Sequence, residues 1–148
     1  MIGIIVTGHG TFATGLTSGL KLLAGELSYY VPVDFDPEES LEILTGNLRN
    51  ALETLKECEG VLILADLTGG SPYNASVRLK LEGTDPVEVV GGASLPILLD
   101  AYMNRGMIPG PAALARASLK AGKAQTLLFE ASSGVTSEDE DDEIEYDE

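Results

Sequence analysis

Apolar positions fall along this chain in two rhythms. Continuous β-branched and aliphatic runs, Ile2 to Val6 and Val61 to Ala65, read as strands covered on both faces. Between them, apolar residues recur every third or fourth position, the spacing of a helix with one buried face. Phe12, Leu16, Leu20 and Leu23 predict a helix from a cap at Thr11 to about Ala24, closed by Gly25. Leu41, Leu44, Leu48, Leu52 and Leu55 predict a second helix reaching about Cys58. Its start is read at Asp36-Pro37-Glu38-Glu39, with Asp36 as N-cap and Glu39 completing a capping-box-like pair. Tyr29 to Phe35 forms the intervening strand, and Pro32 assigns it to a sheet edge. Further on, Ser71 as N-cap and Pro72 at the first helical position begin a helix to about Leu81. Pro86 to Val90 is a fourth strand, followed by a helix from Leu95 to about Arg105. A last helix is expected over about Ala112 to Ala121, stopped by Gly122, and then a fifth short strand from Ala124 to Phe129.

Strand–helix alternation repeated four times predicts an α/β, flavodoxin-like doubly wound fold with a parallel sheet in the order 2-1-3-4. Strands one and three are then neighbours whose crossovers leave on opposite faces. Ligands bind such sheets at the carboxyl ends of the strands, at this switch point. His9 follows strand one and Asp66 closes strand three, so the topology brings them to the same crevice.

Length and charge narrow the function. The 148 residues suit one domain, expected over residues 1–130 and followed by a disordered acidic tail at 131–148. Nine acidic residues lie between Glu138 and Glu148, so the net charge of −15 falls to −6 for the remainder. Neither part offers the Lys and Arg clusters that nucleic acid or an anionic membrane requires. A single cysteine, Cys58, excludes an intramolecular disulfide; it reads as a packing residue of a protein from a reducing cytoplasm. With no signal peptide and no apolar run of spanning length, a soluble cytoplasmic protein is expected.

His9 is the only histidine, flanked by Gly8 and Gly10 at the end of a buried strand. A carboxylate accepting a hydrogen bond from one ring nitrogen fixes the tautomer and frees the other as a nucleophile. It also favours the cationic ring formed on substitution. Gly69-Gly70-Ser71-Pro72 adds a helix start whose unpaired N–H groups suit an anion. Nucleophile, orienting carboxylate and anion site together suit a phosphohistidine. A P-loop, a dinucleotide fingerprint and a cysteine or histidine set for zinc are all missing. A Ser-His-Asp hydrolase using Ser71 remains an alternative by composition, with the capping role of Ser71 preferred.

Two segments together, Ile4-Ile5-Val6-Thr7-Gly8-His9-Gly10 and Asp66-Leu67-Thr68-Gly69-Gly70-Ser71-Pro72-Tyr73-Asn74-Ala75, resemble the enzyme IIA component of the mannose-type bacterial sugar phosphotransferase system. Gly91-Gly92-Ala93-Ser94-Leu95-Pro96 matches the family's pattern after the fourth strand, and the similarity covers about residues 1–130. The resemblance implies that His9 accepts a phosphoryl group on Nε2 from the phosphohistidine of HPr and passes it to a histidine of a separate IIB component. IIB then phosphorylates a sugar delivered by the membrane IIC and IID components. It further implies Asp66 on Nδ1, Thr68 and Ser71 as donors to the phosphoryl oxygens beside Gly69 and Gly70, and no metal or nucleotide cofactor. Relatives are homodimers that exchange a C-terminal strand, for which Ala124 to Phe129 is the matching segment. Some relatives carry an aromatic residue in place of Thr68, and the acidic tail lies outside the family pattern. Two alternatives stand beside this reading: a phosphocarrier serving dihydroxyacetone kinase, and a non-catalytic flavodoxin-like regulatory module.

Overall fold

Strand β1 (Ile2–His9) is buried from Ile2 through Gly8 and emerges at His9. A run this apolar is stable only where both faces are covered, which puts β1 inside the sheet. In a computed structural model describing residues 1–131 and 134–136, β1 lies between β2 (Tyr30–Phe35) and β3 (Gly60–Ala65), with β4 (Val87–Val90) outside β3. All three pairings are parallel and the order is β2-β1-β3-β4, as the alternation predicts. Pro32 does sit on an edge strand, where its missing N–H costs no ladder bond.

Side-chain alternation divides the core in two. Ile2, Ile4, Val6, Leu62 and Leu64 pack against helices α1 (Phe12–Ala24), α4 (Leu95–Asn104) and α5 (Pro111–Ala124). Ile5, Val61 and Ile63 face α2 (Leu41–Thr54) and α3 (Ser71–Glu82). Register sets the top edge: Thr7 pairs with Ala65 and His9 with Phe35, so the chain leaves β1 beside the ends of both neighbours. Among the described residues, no helix is long and apolar enough to cross a membrane.

Four local expectations are corrected. Ser40, not Asp36, caps α2, accepting from Ile43 N at 3.1 Å. Asp36 N–H donates to Glu39 Oε1 at 2.9 Å, while the Asp36 side chain accepts from Glu38 N–H and its carbonyl from Glu39 N–H, closing an isolated turn ahead of the helix. The helix also stops at Thr54 rather than near Cys58, and Leu41 at its start is exposed. Helix α3 is capped by the extended backbone of Gly70, so Ser71 is its first helical residue. Gly122 does not stop α5: it is buried inside it, and a Cβ there would overlap the Ile97 side chain. The missing side chain lets α4 and α5 approach closely, which outweighs the weak helix propensity of glycine.

The C-terminal strand expected over Ala124 to Phe129 is shorter and starts later, since α5 runs on to Ala124. Strand β5 (Leu128–Glu130) begins after α5 and pairs antiparallel with β6 (Gly134–Thr136) of the same chain, in a separate two-stranded sheet. It is therefore not an unpaired segment, and Leu128 and Phe129 lie exposed. Regular structure thus extends past the expected start of the tail at 131, and the acidic run at 138–148 lies outside the described residues.

Candidate functional site

The ends of β1, β2 and β3 and the start of α3 converge on His9. Its ring nitrogen Nδ1 lies 2.8 Å from Asp66 Oδ2, and its backbone N–H donates to that same oxygen at 2.9 Å. One carboxylate oxygen thus fixes both the chain path and the ring of a single residue. Asp66 is itself tied to β1, its N–H donating to Thr7 O at 3.1 Å. The pair is unequally exposed, with 48% of the His9 side chain open to solvent against 15% for Asp66. The outer edge of the ring is therefore accessible while its carboxylate partner is covered. Asp66 Oδ1 is buried with no partner among the described residues.

A carboxylate accepts only, so the short Nδ1 contact assigns the ring proton to Nδ1 and leaves Nε2 with its lone pair. Gly70 makes room for this arrangement: a Cβ there would stand 2.8 Å from His9 Cε1. Any side chain at 70 would push the ring away from the start of α3.

Of the remaining residues singled out in the sequence, Gly69 turns the loop with φ +85° and its carbonyl accepts from Asn74 Nδ2 at 2.9 Å. Ser71 opens α3, and neither its hydroxyl nor its N–H has a partner among the described residues. Its expected capping role is replaced by Gly70, which leaves the hydroxyl free for another task. The N–H of Tyr73 likewise finds no acceptor there, and Pro72 has none to offer. Thr68 is exposed and its hydroxyl packs over Gly91, at the end of β4.

One neighbour of the ring and one residue beside it on β2 escape a reading based on motifs. Phe35 sets its ring 6.1 Å from that of His9 at 56°, and its carbonyl accepts from Gly10 N at 2.8 Å. Asp34 accepts from both the N–H and the hydroxyl of Thr14, at 3.0 and 2.6 Å. Both lie at the end of β2, whose register against His9 carries no local sequence signal.

A family model described as "PTS system fructose IIA component" matches residues 3–117. A sorbose-specific EIIA component from Lacticaseibacillus casei is 38% identical over 101 residues, 68% of this chain and 72% of the relative. The mannose-specific EIIAB component of Escherichia coli K12 is 32% identical over 82% of this chain, a match that spans 38% of that longer protein. Among solved structures, the phosphotransferase system component EIIA of Streptococcus agalactiae superposes with a TM-score of 0.76 at 32% identity, covering 82% of this chain and 92% of that one.

Proposed function

The chain belongs to the mannose-type EIIA family of the bacterial sugar phosphotransferase system, and on that premise we propose that it is a phosphocarrier acting through His9. Phospho-HPr is the donor and a histidine of the IIB component the acceptor, with the membrane IIC and IID components downstream. The observation that carries the reading is the 2.8 Å contact between His9 Nδ1 and Asp66 Oδ2.

The lone pair of His9 Nε2 attacks the phosphorus of the donor phosphohistidine, opposite the P–N bond that breaks. The bonding pair returns to the donor nitrogen, and no proton need leave His9, because its ring already carries one on Nδ1. Substitution makes the ring cationic, and Asp66 stabilises that charge from 2.8 Å in a partly covered setting. The reverse geometry then delivers the phosphoryl group to IIB. Both bonds are P–N bonds, so the protein contributes positioning and charge stabilisation.

Two helices start beside His9, and they are not equivalent anion sites. Asp34 already occupies the first turn of α1, whereas the first turn of α3 has no side-chain cap. The phosphoryl oxygens are assigned to α3, where the free N–H groups of Ser71 and Tyr73 and the Ser71 hydroxyl supply donors. Gly69 and Gly70 keep that approach open, and Thr68 flanks it. The same Ser71 hydroxyl makes no bond to His9, so the geometry gives no support to a Ser-His-Asp hydrolase.

Incubation with enzyme I, HPr and phosphoenolpyruvate is expected to load one acid-labile, alkali-stable phosphoryl group per chain and to release it on addition of the IIB component. No incorporation, or a group that IIB cannot remove, refutes the proposal. Transfer between soluble carriers is consistent with a cytoplasmic location. A homodimer is part of the same reading: Leu128 and Phe129 of β5 are 68% and 69% exposed, and β4 has an unpaired outer edge among the described residues. Sedimentation equilibrium should return twice the chain mass, and deletion of residues 126–148 should return one; a monomeric full-length protein contradicts the dimer.

A further inference from the structure

We propose that Asp34 is a positioning residue for phosphoryl transfer: it locks the start of α1 to the end of β2 and thereby holds the connection that carries His9. The inference rests on the phosphocarrier reading for its kinetic consequence, although the geometry it describes is independent of the donor.

Gly10 and Thr11 join His9, the last residue of β1, to α1, and Gly10 adopts φ +58° to make the turn. Thr11 stands at the N-cap position with φ −101° and ψ 26°, and its side chain makes no capping bond. The first turn of α1 therefore lacks a local cap. Asp34 supplies one from twenty residues away, taking the Thr14 N–H on Oδ1 at 3.0 Å and the Thr14 hydroxyl on Oδ2 at 2.6 Å. Next to it, Phe35 O receives Gly10 N at 2.8 Å, and the Phe35 ring stands beside the imidazole. The His9 connection is thus held at two points by consecutive residues of β2.

Asp66 grips the opposite side of the same residue through its backbone N–H and Nδ1. With Asp34 and Asp66 both in place, the connection that carries His9 has an anchor at each neighbouring strand end. Without Asp34, the Gly10 turn retains one main-chain bond to β2 and gains the freedom of a left-handed glycine. Loss of a cap weakens one helix start and leaves the two packed faces of the sheet intact, so the domain stays folded. A displacement of the ring by about an ångström is enough to lower a positioned transfer by up to 10²-fold. The carboxylate also answers the positive end of the α1 dipole, leaving α3 as the uncapped helix start facing the incoming anion.

The test is single-turnover transfer from phospho-HPr to Asp34→Ala, Asp34→Asn and Thr14→Val, read as maximal rate and half-saturating donor concentration, with folding checked by thermal melting. Asp34→Ala should lose about tenfold or more in maximal rate with half-saturation changed less than twofold. Asp34→Asn, which keeps an acceptor for the Thr14 N–H, should fall between it and the unchanged protein. A folded Asp34→Ala at full rate overturns the inference, as does a raised half-saturation with unchanged rate, which describes a docking residue. If Asp34→Ala fails to fold, full rates in both Asp34→Asn and Thr14→Val overturn it. Imidazole ¹⁵N resonances give a readout without any donor: a single Nδ1-protonated tautomer is expected for the unchanged protein and exchange-averaged signals for Asp34→Ala. Identical spectra defeat the positioning role, whereas failure of the unchanged protein to accept phosphate from HPr defeats only the phosphocarrier reading.

Discussion

His9→Gln is expected to fold as the unchanged protein does and to take up no phosphoryl group from phospho-HPr. The fold expectation follows from position: His9 is the last residue of β1, exposed, and only its backbone enters the sheet ladder. Gln retains a polar N–H donor for Asp66, and the backbone N–H of residue 9 still donates to the same oxygen, so the domain should stay folded. The chemical expectation follows from the residue count. The chain has one histidine, so its removal leaves no imidazole to accept the phosphoryl group. Ser71, at the start of α3, would yield a phosphate ester that is stable in acid. Acid stability of any residual label distinguishes the two directly. Label that persists in His9→Gln and remains acid-labile would falsify the assignment of His9 as the acceptor.

The fold was largely legible because its strands are buried on both faces. The uninterrupted apolar runs at Ile2–Val6 and Val61–Ala65, separated by leucine stripes of helical period, leave little choice but a parallel sheet with helices on either side. The pairing of His9 with Asp66 follows from that sheet order, since both residues sit at the carboxyl ends of adjacent strands. Element ends were less legible, for reasons that lie in tertiary packing. Gly122 carries a stop signal in isolation, but Ile97 packs where its Cβ would be and the helix runs on. Asp36 and Ser40 are both competent caps four residues apart, and only the packing of Leu44 and Leu48 against the sheet decides which one is used. Ser71 shows the same limit at the site itself: Ser before Pro reads as a cap, yet the N-cap position falls on Gly70, where the His9 ring leaves no room for a side chain. Asp34 was invisible to a motif search since its partner, Thr14, is brought to it only by the β1–β2 register.

Asp66→Asn separates charge from orientation at the carboxylate. Asp66 Oδ2 receives two donors from His9, and flipping the asparagine amide would set its NH₂ against the His9 N–H. The asparagine oxygen therefore takes the Oδ2 position, and the ring keeps its proton on Nδ1. Its NH₂ then falls where Oδ1 stands, buried and without a partner among the described residues, at a cost of about 1–3 kcal/mol in stability. What the substitution removes from the reaction is the negative charge that balances the phosphorylated ring. A hydrogen bond to a charged group contributes about 1.5–3 kcal/mol, so the transfer rate should fall by roughly 10- to 100-fold. Asp66→Ala removes both acceptors and frees the ring as well, and its rate should fall further. Rapid-quench measurement of transfer from phospho-HPr should rank the unchanged protein above Asp66→Asn and Asp66→Ala last. Equal rates in the first two would mean that the carboxylate charge has no part in the transfer. Equal rates in the last two would mean that holding the ring contributes nothing once the charge is gone, and Asp66 would then act through its field alone.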